Sequence, residues 1–301
     1  MDRRLLLAMT GLLITCSGAG DRLCAAEPFV PAGEATNAAL VYWQAFSFLP
    51  DLSDEEEALL REVEKGEKSA SDAEALLSRS QQSLKLARAV RLGNPCRWEI
   101  IENGPATLLP HLGKARLLAR LMVLQERGGL NDCQSVSCVE QIAESLQVAR
   151  SVDDGVLVQL LVGDAIESMT LDAAEPMIAK LDPTALKRMT ELLAQLPPRA
   201  TFGSAMAHER DVFAGWLRPI MLGDEPQSQE LLKQALDARS MDQITMLAGD
   251  REDRKERFDQ FWAKYGEIIA AAKLPPANAQ QQLERLAKQS VQSDNPLIRM
   301  L

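Results

Sequence analysis

The chain contains two histidines, His111 and His208. Imidazole titrates nearest neutral pH, so these are the first candidates for proton transfer or metal ligation. His111 follows Pro110 at the start of an amphipathic stretch, Leu108 to Gln125, with no nucleophile or second ligand beside it in sequence. A polar cap or a core histidine is the plainer role there. His208 opens the run His208-Glu209-Arg210-Asp211-Val212. The order is close to the His-Glu-x-x-His zinc signature, but Val212 stands where the second histidine is required, so the motif fails. The nucleophile elbow Gly-x-Ser-x-Gly, the phosphate-binding loop and the dinucleotide glycine fingerprint are all missing from the sequence. Without a paired Cys-x-x-Cys either, neither a metal nor an organic cofactor is expected.

Aromatic residues offer contact rather than catalysis. Tyr42, Trp43, Phe46 and Phe48 crowd one helical segment, and Trp98 stands beside Arg97 in the irregular stretch from Gly93 to Pro105. A tryptophan with an arginine in a loop has the composition of a binding hot spot, so Trp98, Arg97, Tyr42 and Trp43 are the candidate contact residues. The competing role is structural: aromatics at helical spacing bury against a neighbour, and Trp98 would pin its loop to the helices. Cysteines supply the third chemistry. Cys133 and Cys138 lie five apart in a polar segment, spaced for a local disulfide, with a bridge from Cys96 to either as the alternative.

Whether such a bridge forms depends on compartment, and the first 26 residues speak to that. Arg3 and Arg4 precede an apolar run from Leu5 to Ile14, and Cys24-Ala25-Ala26 ends in small residues. This is the pattern of a secretory leader cleaved between Ala26 and Glu27. Its apolar run is far short of the roughly 20 residues of a membrane-spanning helix, and nothing later in the chain is long and apolar enough either. The expectation is an exported protein, periplasmic or elsewhere in the cell envelope. Leu13-Ile14-Thr15-Cys16 is also near a lipid-attachment motif, with Thr15 in place of the usual small residue, which makes a lipid anchor at Cys16 the minor alternative.

These residues must be positioned by helices. Of 301 residues, 46% are hydrophobic and only 4% aromatic, so Leu, Ala, Val and Met, mostly helix formers, carry the apolar content. Capping signals recur at Ser53-Glu56, Ser71-Glu74, Ser137-Glu140 and Asp182-Pro183, with a further start at Glu225-Pro226. Leu108, Leu112, Ala115, Ala119 and Met122 form an apolar stripe with Lys114, Arg116 and Arg120 off it. Val156 to Val162 is apolar almost throughout and predicts a buried central helix. The fold class is all-α: antiparallel helical hairpins, as an irregular bundle or a degenerate tetratricopeptide-like array with two hairpins between Pro110 and Pro197. The domain reading is a leader at 1–26, an N-terminal helical subdomain at 27–93 and a helical-hairpin array at 94–301. The formal charge is -10; without the leader's net +1 it is -11, which argues against nucleic acid and anionic membrane surfaces as partners.

The segments Asn37-Ala38-Ala39-Leu40-Val41-Tyr42-Trp43-Gln44-Ala45-Phe46 and Gly104-Pro105-Ala106-Thr107-Leu108-Leu109-Pro110-His111-Leu112 resemble those of a group of uncharacterised exported bacterial all-helical proteins. The resemblance implies export and a helical fold, and longer members of the group imply that such a chain continues past Leu301. Helical arrays present extended binding surfaces. The functional expectation is therefore a non-enzymatic scaffold that binds a protein or peptide. The alternative is an envelope hydrolase whose site gathers dispersed residues, His111 and His208 among them.

Overall fold

The structure is a computed structural model that describes residues 37–104, 107–129, 136–153, 155–223 and 250–299. Cys16, the Ala26–Glu27 junction, Cys133 and the Glu225-Pro226 helix start lie outside the described residues. Among the described residues there are eleven α-helices, one 3-10 turn and no β-strand: α1 (Ala38–Ser47), α2 (Asp54–Glu64), the 3-10 turn (Ala70–Ala73), α3 (Glu74–Arg88), α4 (Pro110–Gly129), α5 (Val136–Val152), α6 (Leu157–Ile178), α7 (Pro183–Leu193), α8 (Phe202–Leu222), α9 (Arg251–Ala272), α10 (Pro276–Val291) and α11 (Pro296–Arg299). The chain is all-α. None of these helices is long and apolar enough to cross a membrane.

Helix starts follow local side-chain chemistry. Ser53 accepts from the Glu56 amide at 3.3 Å while Glu56 Oε2 accepts from the Ser53 amide at 3.0 Å, a reciprocal cap on α2. Asp182 Oδ1 accepts from the Ala185 amide at 2.7 Å, with Pro183 at the first helical position of α7. Two expected caps are corrected. The box before α3 belongs to Ser69 and Asp72, which cap the 3-10 turn. Ser137 lies inside α5, which begins at Val136. Pro276 starts α10 from its first position, where the missing amide is no loss.

Packing departs from a regular array. α5 packs against α4, α6 and α7, whereas α7 seats on α5 rather than forming a hairpin with α6. His111 on α4 meets Gln159 on α6 near both N-termini, and Arg127 and Asp172 share one cavity farther along, so α4 and α6 run side by side in one direction. Gly163 permits the close approach of α5 and α6: a Cβ there would fall 2.6 Å from Asp153 Cβ and 3.0 Å from the Ala149 carbonyl. α6 is less buried than its sequence predicts. Val158 and Leu161 are exposed, and Gln159, Leu160, Gly163 and Ile166 face inward.

The largest core joins α1, α2, α3, α4 and α6 through Tyr42, Leu60, Leu84, Leu118, Met122 and Ile166, and so spans both sides of Gly93. A second core, between α8 and α9, is built of Leu217, Met221, Phe258, Phe261 and Tyr265, and Leu297 of α11 plugs it. A smaller one places Cys138 and Ile142 of α5 against Ala174 and Met177 of α6. Cys138 is disulfide-bonded.

Candidate functional site

Trp98 lies in the core, only 8% exposed. Its ring stacks on His111 with centroids 4.5 Å apart, and Phe46 at 5.8 Å, Tyr42 at 6.0 Å and the edge of Trp43 at 5.7 Å surround it. The indole Nε1 donates to the Ser151 carbonyl of α5 at 2.6 Å, satisfying the one polar atom the ring buries. Asn37 holds the loop from the other side: Nδ2 donates to the Arg97 carbonyl at 2.7 Å and Oδ1 accepts from the Arg97 amide at 2.8 Å. The Arg97 side chain is exposed, Trp43 is partly so, and Tyr42 is buried. The geometry of Trp98 is that of an anchor.

The histidines have separate surroundings. His111 is fully buried beneath Trp98, its Nε2 lies 3.4 Å from Gln159 Nε2, and its Nδ1 has no hydrogen-bond partner. Burial lowers its pKa to about 4, so the ring is neutral at pH 7. His208 lies on α8, half exposed, with Nε2 2.9 Å from Glu102 Oε1.

The open chemistry is on α4. Along its outward face run Gly113, Arg116, Arg120, Arg127 and Gly128, spaced so that they face α2 on one side and α6 on the other. Three adjoining cavities follow this face. The first, of about 340 Å³, lies between α2 and α4 and includes Arg61, Gly113 and Arg116. The second, of about 320 Å³, lies between α4 and α6 and shares Glu64, Arg116 and Arg120 with the first. The third, of about 600 Å³, shares Arg127 and Asp172 with the second and reaches Ser69, Glu74 and Gly128. Together they form one groove with α4 as its floor.

Arg120 is the fixed point of this groove. Its Nη1 donates to Glu57 Oε2 at 2.9 Å and its Nε to Glu64 Oε1 at 2.5 Å. Burial works against its charge, but the hydrogen bonds to Glu64 and Glu57 outweigh that and hold the pKa above its ordinary value. Arg127 Nη1 donates to the Val63 and Glu64 carbonyls at 2.8 and 3.0 Å, closing the C-terminal end of α2. Arg61, Arg116, Glu74 and Asp172 are exposed and make no hydrogen bond or ion pair with a described side chain. Two of the groove's hydroxyls are taken up in turn formation: Ser71 Oγ donates to Ser69 Oγ at 3.0 Å, and Ser69 Oγ accepts from the Ser71 amide. These residues can hold a charged, extended ligand.

Comparison with protein-family models, with curated proteins and with solved structures finds no match. The site's meaning therefore rests on its geometry.

A second polar group lies behind α4. Glu126 is 2% exposed, its Oε1 accepts from Ser145 Oγ at 2.6 Å, and its Oε2 has no partner. Glu144 Oε2 stands 3.3 Å from Arg88 Nε. Burial raises both carboxyls to about 7, against the pull of Arg88 on each and of the Ser145 hydrogen bond on Glu126. Sequence reading noted Arg116 and Arg120 only as residues off the apolar stripe, and it missed Arg127, Glu126 and Glu144. A signal was present: α4 carries four basic residues, Lys114, Arg116, Arg120 and Arg127, against the single carboxylate of Glu126, in a chain of net charge -10. A helix with that imbalance needs acidic partners from elsewhere.

Proposed function

We propose that the protein is an exported, non-enzymatic scaffold of the cell envelope that holds an extended peptide segment of another protein in the groove on α4. One observation carries this reading: three adjoining cavities share a floor of glycines and arginines whose central guanidinium is fixed by Glu57 and Glu64. A preformed cleft binds at low ordering cost. Gly113 adds to the argument. Glycine within a helix costs about 1 kcal/mol against alanine, yet Gly113 sits where a Cβ would meet no atom within 4 Å. Steric crowding within the chain is therefore not what excludes a side chain at Gly113, and its absence leaves the floor open to a ligand. Export is taken from the leader and from the resemblance to exported helical proteins. The hydrolase alternative draws less support, since His111 is sealed under Trp98 and His208 pairs with Glu102 at the surface.

The test is panning of a displayed random-octapeptide library on the purified protein, with the Gly113→Trp variant as counter-target. A Cβ at Gly113 meets no atom within 4 Å, so Gly113→Trp should obstruct the groove with the melting temperature held or raised. Enriched peptides that bind the native protein and not the variant support the reading. No enrichment, or peptides retained equally by both, overturns it.

A further inference from the structure

We infer that the groove selects a dipolar peptide, with an acidic group seated at Arg61 and Arg116 and a basic group about five residues away at Asp172 and Glu74. This rests on the groove reading above and concerns which ligand the groove takes.

The charges of the groove are sorted along its length. Glu57 and Glu64 are spent on Arg120, so the end at Gly113 keeps two cations with no partner among the described residues, Arg61 and Arg116. At the far end, Arg127 is committed to the α2 carbonyls, and Lys68 pairs with Glu62 at 2.7 Å. The uncommitted groups there are the carboxylates of Asp172 and Glu74. One end of the cleft thus seeks an anion and the other a cation. The far end is set by Arg127, 11 residues and a rise of about 16 Å from Arg116 on α4; Glu74 lies there in the third cavity, and Asp172 lines both that cavity and the middle one, which Arg116 also lines. An extended chain advances about 3.3 Å per residue, so about five residues separate the two ligand charges. The middle cavity has the charged residues of α2 and α4 on one wall, while on α6 Ala165, Ser168 and Met169 precede Asp172 and leave room for small or modestly apolar side chains. Complementary charge at two fixed points mainly supplies selectivity and register, as a scaffold for a defined segment requires.

The experiment measures fluorescence polarisation with labelled hexapeptide pools. Position one is Glu and position six Lys, and the four between are mixtures of Ala, Ser, Val and Leu. Companion pools carry Glu at both ends or Lys at both ends. The Glu–Lys pool should bind the native protein about tenfold more tightly than either companion, with the advantage shrinking as salt rises. Asp172→Lys should reverse the order, so that the Glu–Glu pool binds best, and Arg116→Glu should favour the Lys–Lys pool. Equal binding of all three pools, abolished by Gly113→Trp, overturns the charge assignment while leaving the groove as the binding site. Binding of no pool, together with a panning experiment that enriches nothing, overturns both.

Discussion

An arginine with two glutamates occurs on each side of α4, and the two clusters behave differently. On the outward side, Arg120 bonds directly to Glu57 and Glu64, whose carboxylates are about a third exposed. Water solvates what the arginine leaves unmet. On the inward side, Arg88 Nε stands 3.3 Å from Glu144 and influences Glu126 only through space, while Glu126 is almost completely buried. There burial dominates and both carboxyls rise to about 7. The same three residue types make a hydrogen-bonded ion cluster where water reaches them and a proton-binding one where it does not. Composition alone therefore does not say which cluster is a surface for ligands and which is part of the fold.

The largest expected effect falls on the packed core. Trp98→Ala removes a buried ring and orphans the Ser151 carbonyl, so stability should fall by about 4 kcal/mol, read by urea denaturation, while the folded fraction binds groove peptides as before. An unchanged melting temperature with weakened binding would make Trp98 a ligand contact and dissolve the contrast between the two sides. Next comes Arg88→Met. It leaves Glu144 and Glu126 without their cation and should cost about 3 kcal/mol at pH 8. At pH 5, where protonation relieves the carboxyls, the cost should be smaller; equal losses at both pH values would mean the inner glutamates do not titrate as described.

Glu126→Gln is expected to stabilise. The folded pKa of Glu126 lies above its unfolded value of 4.5, so the folded state binds the proton more tightly, and the native protein loses stability as pH rises from about 4.5 to 7. The amide keeps an acceptor for Ser145 and removes the titration. The gain should be about 2 kcal/mol at pH 8 and vanish below pH 4.5. Buried His111, with its lowered pKa, tilts the curve the other way, destabilising the fold as pH falls from 6.5 towards 4. The informative quantity is therefore the difference between native and variant curves, in which His111 cancels. Arg120→Met, the outer counterpart of Arg88→Met, should cost 1 kcal/mol or less, because Glu57 and Glu64 can turn into water. A loss as large as that of Arg88→Met would erase the distinction between the clusters.

Much of the helical scaffold is readable residue by residue. The Ser53–Glu56 box, the Asp182–Pro183 start and the stripe through Leu112, Ala115 and Met122 each depend on groups a few positions apart. Where reading by spacing erred, a neighbour from afar intervened: Val158 and Leu161 look like core but are exposed, because α5 takes the opposite face of α6 around Gly163. Of the site, the arginines of α4 are visible as an uncompensated run. Their partners are not, since Glu57 and Glu64 lie 63 and 56 residues from Arg120 in the chain.

Helix formation, the helix starts and the all-α class follow from caps, propensities and a 3.6-residue repeat, whose energies act within one or two turns. The pairing of Arg120 with α2, the seating of Trp98 against Ser151 and the protonation of Glu126 follow from which distant helices meet and how much water they exclude. Those energies depend on position in space, and two carboxylates alike in sequence acquire different chemistry once one faces solvent and the other a packed core.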